Sequence, residues 1–179
     1  MGSQKQAGRQ SRRVLRRVAL ACIGSQPQTI ERTGAEDRFL NFLLDTNLIS
    51  EWLKPEPNTG VVAWTAAADE DRLFISVVTL AELRHGIDRL ATGRRRERLN
   101  SWLQHDLPER FGDRVLPVTR DVADVWGRIV AKCEALGRPF GVLDAFIAAT
   151  AHVHDLAVVT RNESDFESAT AIVVNPWSA

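Results

Sequence analysis

From about residue 41 onward, the chain alternates between short apolar runs and stretches in which apolar residues recur every three or four positions. Short apolar runs bounded by polar or turn residues are typical of buried strands. The three-and-four spacing, as in "TLAELRHGIDRL" at 79–90, places apolar side chains on one face of a helix. The runs predict strands at 42–44, 72–76, 114–118, 156–160 and 171–174. The spaced stretches predict helices at 48–53, 60–68, 79–90, 94–107 and 144–154, and a long helix that is marked by apolar residues from 122 to 133 and closed by Gly137.

This alternation of strands and helices predicts the class of fold. Strands that alternate with helices along a chain form a parallel sheet covered by helices on both faces. We therefore expect an α/β fold of three layers, α/β/α, around a central parallel sheet of about five strands. In open sheets of this kind, sites lie beyond the carboxyl ends of the strands. The first predicted strand is followed directly by Asp45, which places a carboxylate at that edge.

The charge of the chain is unevenly distributed, although its formal net charge is zero. Residues 1–38 contain eight basic and three acidic residues, which leaves fifteen basic and twenty acidic residues in the remainder. Residues 25–38 combine Ser, Gln, Pro, Thr and Gly with charges, as linkers do. We expect residues 1–38 to be a disordered basic extension, or a segment upstream of the true start codon. Residues 39–179 are expected to fold as one domain.

The sequence also argues against several classes of protein. Cys22 and Cys133 are far apart and form no CxxC pattern, so we predict neither a disulfide framework nor a zinc site, and expect a reducing cytoplasm. No apolar stretch approaches the roughly 18 residues of a spanning helix, and the apolar part of the basic extension is short for a signal sequence. No glycine-rich phosphate loop occurs, which argues against ATP or NAD binding.

Acidic and amide side chains recur at the predicted boundaries between strands and helices. Each has an ordinary structural explanation. Asp45 suits a helix N-cap, and Glu82 completes a capping-box pattern with the residue three positions earlier. Asp144 falls in the first turn of its helix, where a negative charge favours the dipole. Asn162 and Asp165 follow the fourth strand and are typical turn formers.

Taken together, these side chains indicate a catalytic site. Helices that follow strands of a parallel sheet begin at its carboxyl edge, so Asp45, Glu82 and the Asn162/Asp165 pair converge there. Asp144 joins them only if its helix begins at the same edge. Several carboxylates in one small space repel each other and stay ionised only with a cation. Oxygen ligands suit Mg²⁺ or Mn²⁺, which can activate water and stabilise the charge of a phosphodiester displacement.

Four segments in a fixed order carry a resemblance to a known family: "FLLDTNLISE", "ISVVTLAELRHGI", "VLDAFIAATA" and "VVTRNESDF". With the closing "NPW" at 175–177, they resemble the PIN-domain ribonucleases, in particular the VapC-type and FitB-like toxins of bacterial toxin–antitoxin pairs. The resemblance covers about residues 41–177. It implies a PIN fold with an acidic pocket that binds Mg²⁺ or Mn²⁺, whose first three acids are Asp45, Glu82 and Asp144.

The resemblance also implies supporting residues and a fourth acid. Thr46 matches the hydroxyl beside the first acid, and Thr160 matches a polar position at the end of the fourth strand. Some members of the family place the fourth acid directly after "TR", where this chain has Asn162, and others place it before the Phe, at Asp165. We expect Asp165 to be the fourth carboxylate, with Asn162 assisting through its amide oxygen. The number of bound metals stays open for the same reason.

The implied function is that of an endoribonuclease toxin. By resemblance, it hydrolyses RNA phosphodiester bonds with Mg²⁺ or Mn²⁺ and leaves a 5′-phosphate and a 3′-hydroxyl. The family also implies a homodimer, with Trp52 and Trp64 near the helices that mediate dimerisation. The implied partner is a small DNA-binding antitoxin whose C-terminal segment blocks the pocket.

A basic cluster at the start of the predicted helix 94–107 has two interpretations. It consists of Arg94, Arg95, Arg96 and Arg98. It is either a solvated helix face or a contact for the RNA backbone. Cations at a helix N-terminus oppose the dipole, which mildly favours a functional role.

Two rival functions remain. "LLDTN" resembles the aspartyl-phosphate phosphatases, in which Asp45 would be a nucleophile, but that pattern needs a second aspartate where Asn47 stands. The other rival is a PIN-like protein with weak or no catalysis that binds nucleic acid or an antitoxin. Metal-dependent cleavage separates that rival from a nuclease.

Overall fold

The computed structural model describes residues 41–138, 140–167, 169 and 172–178. The expected basic extension, residues 1–38, lies outside the described residues. The strands are β1 (Asn41–Leu44), β2 (Leu73–Ser76), β3 (Val115–Leu116), β4 (Leu156–Val159) and β5 (Val173–Val174). The helices are α1 (Thr46–Glu51), α2 (Thr59–Ala67), α3 (Val77–Asp88), α4 (Arg94–Ser101), α5 (Leu107–Phe111), α6 (Arg120–Ala135), α7 (Val142–Val153) and α8 (Glu163–Glu167).

The strands form one five-stranded sheet in the order β3-β2-β1-β4-β5, and every described strand pairing is parallel. β1 lies at the centre, where Leu43 pairs with Phe74 of β2 and Leu44 pairs with Val159 of β4. The predicted α/β fold with a central parallel sheet is confirmed. Because β1 is central, the residue that follows it lies in the middle of the carboxyl edge.

Helices cover both faces of the sheet, and two apolar clusters fill the space between the layers. Leu43 packs with Ile147 of α7 in one cluster, whereas Leu44 packs with Ile49 of α1 and Leu107 of α5 in the other. Successive residues of a strand point to opposite faces, which is why these neighbouring leucines belong to different clusters. Both leucines are completely buried. The short apolar run that predicted β1 thus has the composition of a strand covered on both sides.

The predicted helix at 94–107 is confirmed as one uninterrupted helical segment, but it continues to Phe111 and contains a π-turn. Its first part is α4, one turn of π-helix follows at Trp102–Asp106, and α5 continues directly from that turn. Pro108 has no N–H group and cannot bond to the carbonyl one α-helical turn earlier. The backbone N–H of Leu107 instead bonds to the carbonyl of Trp102, five residues back. This wider turn still buries both Leu103 and Leu107.

The predicted capping box at the start of the third helix is also wrong. α3 begins at Val77, and its N-cap is Ser76, whose hydroxyl accepts a hydrogen bond from the backbone of Thr79 at 3.0 Å. Glu82 therefore lies in the second turn of α3 rather than at its start. Its carboxylate is free of any capping role, and it contacts another helix instead.

A buried carboxylate outside the predicted site joins α1 to the end of the chain. Glu51 is 4% exposed and accepts hydrogen bonds from Lys54 Nζ at 2.7 Å, the Asn58 backbone at 3.0 Å and Trp177 Nε1 at 3.3 Å. Burial by itself would raise the pKa of Glu51, but these donors outweigh it and lower the pKa. Glu51 thus fixes the closing "NPW" segment against the first helix.

In the part of the chain that the structure describes, no helix is long and apolar enough to span a membrane.

Candidate active site

The first acid, Asp45, is held rigidly at the carboxyl end of β1. It is 3% exposed and forms the N-cap of α1, where its Oδ1 accepts a hydrogen bond from the backbone of Thr46 at 2.6 Å. Its Oδ2 accepts from Asn47 Nδ2 at 2.8 Å and from Thr160 Oγ1 at 2.7 Å. Thr160 follows β4, so the side chain bridges two adjacent strands. Asp45 is therefore both a cap and a candidate functional group, and the two interpretations do not compete.

Burial dominates the electrostatics of Asp45. Loss of solvent raises the pKa of its carboxyl group, and the hydrogen bonds from Thr160, Thr46 and Asn47 reduce but do not cancel this effect. A buried carboxylate with several donors keeps a fixed orientation. Its position makes any second negative charge nearby unfavourable.

The second acid, Glu82, reaches the same edge from α3. Its Oε2 accepts a hydrogen bond from the Thr46 hydroxyl at 2.5 Å. Burial raises the pKa of Glu82, the Thr46 bond lowers it, and the charge of Asp45 raises it further. Thr46 thus connects the two acids, since its backbone donates to Asp45 and its hydroxyl donates to Glu82.

The third acid, Asp144, lies in the first turn of α7 and is partly buried. Burial raises its pKa, and the charges of Asp45, Glu82 and Asp165 raise it further, to about 6. Only His154 and Asp155 separate the end of α7 from β4, which is parallel to β1, so α7 ends at the amino edge of the sheet and runs antiparallel to these strands. α7 therefore begins at the carboxyl edge, as the predicted convergence of the acids requires.

The candidates for the fourth position differ in their surroundings. Asp165 is exposed in α8, and its charge reaches Asp144. Asn162 is half-buried, and its backbone N–H donates to Thr160 Oγ1 at 3.1 Å, while its carbonyl accepts from the backbone of Asp165 at 3.3 Å. The structure brings both residues to the edge. Of the two, only Asp165 adds negative charge there.

The donor set of this edge suits a hard divalent cation. It consists of carboxylate oxygens from separate elements, and their mutual repulsion is what a cation would relieve. Within the described ranges, no three histidine, cysteine or acidic residues are placed closely enough together to hold a metal ion among them. The charges of the acids therefore act on one another, but the carboxylates are not closed around a single point.

Two residues important to this geometry were missed by sequence reasoning. Asn47, considered only as an argument against a phosphatase, donates directly to the carboxylate of Asp45. Gly141, the N-cap of α7, lies against the carboxylate of Asp144. The sequence could have indicated the role of Asn47, because an asparagine two positions after an N-cap aspartate can donate to its carboxylate. The role of Gly141 had no signal, because it depends on the side-chain position of another residue.

A cleft of about 200 Å³ opens beside Thr46 and Glu82, between α1, α3 and α4. Its walls are mainly apolar, and Lys54 and Arg95 provide its basic groups. The basic cluster predicted at 94–98 is divided by the fold. Arg94, Arg95 and Arg98 are exposed, whereas Arg96 binds Asp88 at 3.1 Å and the Leu90 carbonyl at 3.3 Å. Arg95 is thus the member of the basic cluster that borders the cleft, whose lining also includes Thr46 and Glu82.

Comparison with known proteins agrees with this geometry. Residues 42–171 match the model of the PIN domain family. The chain is 38% identical over 135 residues to toxin FitB of Neisseria gonorrhoeae, which covers 75% of this chain and 97% of that protein. It is also 38% identical over 135 residues to the VapC ribonuclease Y4jK of Sinorhizobium fredii, covering 75% of this chain and 96% of the relative.

A solved structure of FitAB bound to the IR36 DNA fragment superposes with a TM-score of 0.72 at 36% identity, covering 76% of this chain and 95% of that chain. The matched region begins within β1 and spans Asp45, Glu82, Asp144 and Asp165. The parallel sheet, the acids gathered at its carboxyl edge and the extent of these matches together show that this chain belongs to the PIN-domain family.

Proposed function

We propose that this protein is a divalent-metal-dependent endoribonuclease and the toxin of a toxin–antitoxin pair. The observation that carries the proposal is the arrangement of the acids: Thr46 donates hydrogen bonds to both Asp45 and Glu82, and the charges of Asp45, Glu82 and Asp165 all act on the partly buried Asp144 and raise its pKa. A group of carboxylates that raise each other's pKa in a fold is a candidate functional site. The names of the relatives, a toxin and a ribonuclease, support this direction.

In this proposal, Asp45, Glu82, Asp144 and Asp165 would hold Mg²⁺ or Mn²⁺, and the cation would supply an activated water and charge stabilisation at the scissile phosphate. The remaining chemistry belongs to the protein. Thr160 and Asn47 fix the orientation of the Asp45 carboxylate, and Thr46 fixes that of Glu82.

Other groups complete the proposed site. Asn162 assists the fourth position through its amide oxygen. One ionised carboxylate accepts the proton of the attacking water. The water oxygen forms a new bond to phosphorus and the P–O3′ bond breaks; the departing 3′-oxygen takes up a proton, which leaves a 5′-phosphate and a 3′-hydroxyl.

The proposed substrate is RNA. A relative of this chain is named a ribonuclease. Arg95 of α4 lines the cleft, and Arg94 and Arg98 are exposed on the same helix. Guanidinium groups pair with phosphate oxygens, and each such contact makes binding sensitive to salt. The cleft would therefore take an RNA backbone from Arg95 toward Glu82.

The proposed partners are an antitoxin and a second copy of this chain. A similar solved structure contains FitAB on DNA, so we expect this toxin to be held by a DNA-binding antitoxin whose C-terminal segment blocks the acidic pocket. We expect a homodimer formed near the first helices, where Trp52 and Trp64 lie only partly buried. With RNA as its substrate, the protein acts in the cytoplasm.

The experiment that tests the function compares three forms of the full chain. The wild type, a double variant Asp45→Asn, Asp144→Asn, and the control Asp113→Asn are incubated with total bacterial RNA and Mg²⁺, Mn²⁺ or EDTA. Asp113 is exposed and lies outside the acidic cluster. We expect discrete fragments from the wild type and the control, none from the double variant, and none with EDTA.

The alternative of a PIN-like protein that binds without cutting makes a different prediction. It expects no fragments from any of the three forms, although circular dichroism shows that they are folded and titration shows that the wild type binds Mn²⁺. Equal cleavage by the wild type and the double variant would refute the assignment of the acids.

A further inference from the structure

Gly141 occupies a position whose backbone does not need a glycine. It is the N-cap of α7, with φ −56° and ψ 134°, which is an ordinary extended conformation for any amino acid. Glycine is an acceptable N-cap, but it offers no side-chain hydrogen bond, and Ser, Asn and Asp cap a helix better. Neither the backbone angles nor capping therefore demands glycine, whereas its surroundings restrict a Cβ atom.

The surroundings of Gly141 are occupied by the carboxylate of Asp144. A Cβ atom built on Gly141 would lie 2.6 Å from Asp144 Oδ2 and 3.4 Å from its Cγ. Real Cβ atoms do not approach an oxygen so closely, so one of the two groups would have to move. Gly127 in α6 is different, because a Cβ there meets nothing within 4 Å.

The backbone of α7 resists such a movement more than the side chain does. The Gly141 carbonyl accepts the first helical hydrogen bond from Ala145 at 2.8 Å. The carbonyl of Val142 accepts a bond from Trp126 Nε1 at 3.3 Å, and the Trp126 ring stacks on Phe146 with centroids 4.9 Å apart. The Asp144 side chain, by contrast, turns about its own single bonds. An added Cβ would thus displace the carboxylate rather than the helix.

From this geometry we propose that Gly141 is a positioning residue: the absence of its Cβ leaves the space that the Asp144 carboxylate occupies, and this placement sets the affinity of the acidic site for a divalent cation. The inference rests on the proposed function, because it gives Asp144 a role in holding the cation. It assigns no contact between Gly141 and the substrate.

The test uses two substitutions with opposite effects on the helix. Serine is a better N-cap than glycine and alanine is a much poorer one, so Gly141→Ser should keep or raise the Tm and Gly141→Ala should lower it. Both add the same Cβ. We expect both variants of the full chain to bind Mn²⁺ at least about 10-fold more weakly than the wild type, as is common when a residue supporting a metal ligand is changed. Gly127→Ala is the matched control and should bind Mn²⁺ as the wild type does.

A second background shows whether the effect passes through Asp144. In Asp144→Ala there is no carboxylate to displace, so adding Gly141→Ser should leave the remaining Mn²⁺ affinity unchanged within about twofold. The proposal is overturned if Gly141→Ser binds Mn²⁺ as tightly as the wild type, or if it weakens binding equally in the Asp144→Ala background.

Crystal structures of the metal-free wild type and Gly141→Ser separate this inference from the proposed function. We expect the Asp144 carboxylate to adopt another rotamer in the variant, and an unchanged carboxylate would overturn the positioning role. If the wild type neither binds Mn²⁺ nor cleaves RNA, the metal-dependent function is refuted, and the structures still decide whether Gly141 determines where Asp144 stands.

Discussion

Asp144→Asn should stabilise the metal-free protein while it removes cleavage. The substitution replaces a partly buried carboxylate that is repelled by Asp45, Glu82 and Asp165 with a neutral group of the same shape. A rise in pKa from 3.8 to about 6 corresponds to ~3 kcal/mol. Solvent screens a group that is only partly buried, and allowing about half for this leaves ~1.5 kcal/mol.

The pH dependence of this gain follows from the direction of the shift. An acid whose pKa is raised by folding destabilises the folded state progressively as the pH rises from the unfolded-state pKa to the folded-state pKa, because ionisation is easier in the unfolded chain. The gain should be complete at pH 7.5, fall to about half at pH 5 and vanish below the ordinary pKa of 3.8. The free energy of unfolding of Asp144→Asn should therefore vary less with pH than that of the wild type.

Urea denaturation in EDTA at pH 7.5 and pH 5 measures the effect, with Asp113→Asn as the exposed control. Added Mn²⁺ should then stabilise the wild type more than the variant, since a ligand that binds the folded state more tightly stabilises it more at the same concentration. A loss of stability in Asp144→Asn at pH 7.5, or a gain of equal size at both pH values, would refute the repulsion on which this reasoning depends.

Three further substitutions test other parts of the structure. Glu51→Gln should lower the free energy of unfolding by about 1–3 kcal/mol at pH 7, because it weakens three hydrogen bonds to a buried group. Since folding lowers the pKa of Glu51, this loss should shrink as the pH falls through the range in which Glu51 protonates. Urea denaturation at pH 7 and pH 4 measures both, and a variant as stable as the wild type at pH 7 would contradict the prediction. Thr160→Val should reduce RNA cleavage by about 10- to 100-fold, because the buried aspartate loses a donor at 2.7 Å. Its control is Thr150→Val, a buried threonine whose hydroxyl bonds within its own helix, and equal rates for the two variants would count against the role of Thr160. Arg95→Ala should weaken binding of RNA to a cleavage-deficient form and reduce the slope of log affinity against log salt by about 1, whereas Arg128→Ala, an exposed arginine paired with an aspartate in α6, should leave both unchanged in a filter-binding assay.

The sequence by itself determined the elements whose formation depends on neighbouring residues. β1 was predictable because a central strand of a parallel sheet is apolar on both faces, so its pattern is visible without knowing its partners. Asp45 was predictable as a helix cap because its capping hydrogen bond is local, from the backbone of the next residue. The alternation of strands and helices then implied the parallel sheet, and with it the edge where the acids meet.

Tertiary structure alone decided which side chains meet at that edge and how they are held. The position of Asp144 depends on where α7 begins relative to the sheet, and the bond between Thr160 and Asp45 joins residues 115 positions apart. The start of α3 at Val77 and the π-turn before Pro108 depended on which of several acceptable hydrogen-bond patterns the packing favoured. Gly141 is the clearest case, because the Asp144 carboxylate lies where a Cβ atom of residue 141 would stand. Local patterns record what a residue does for its own helix or strand, whereas a shared site is created by the packing that brings distant residues together.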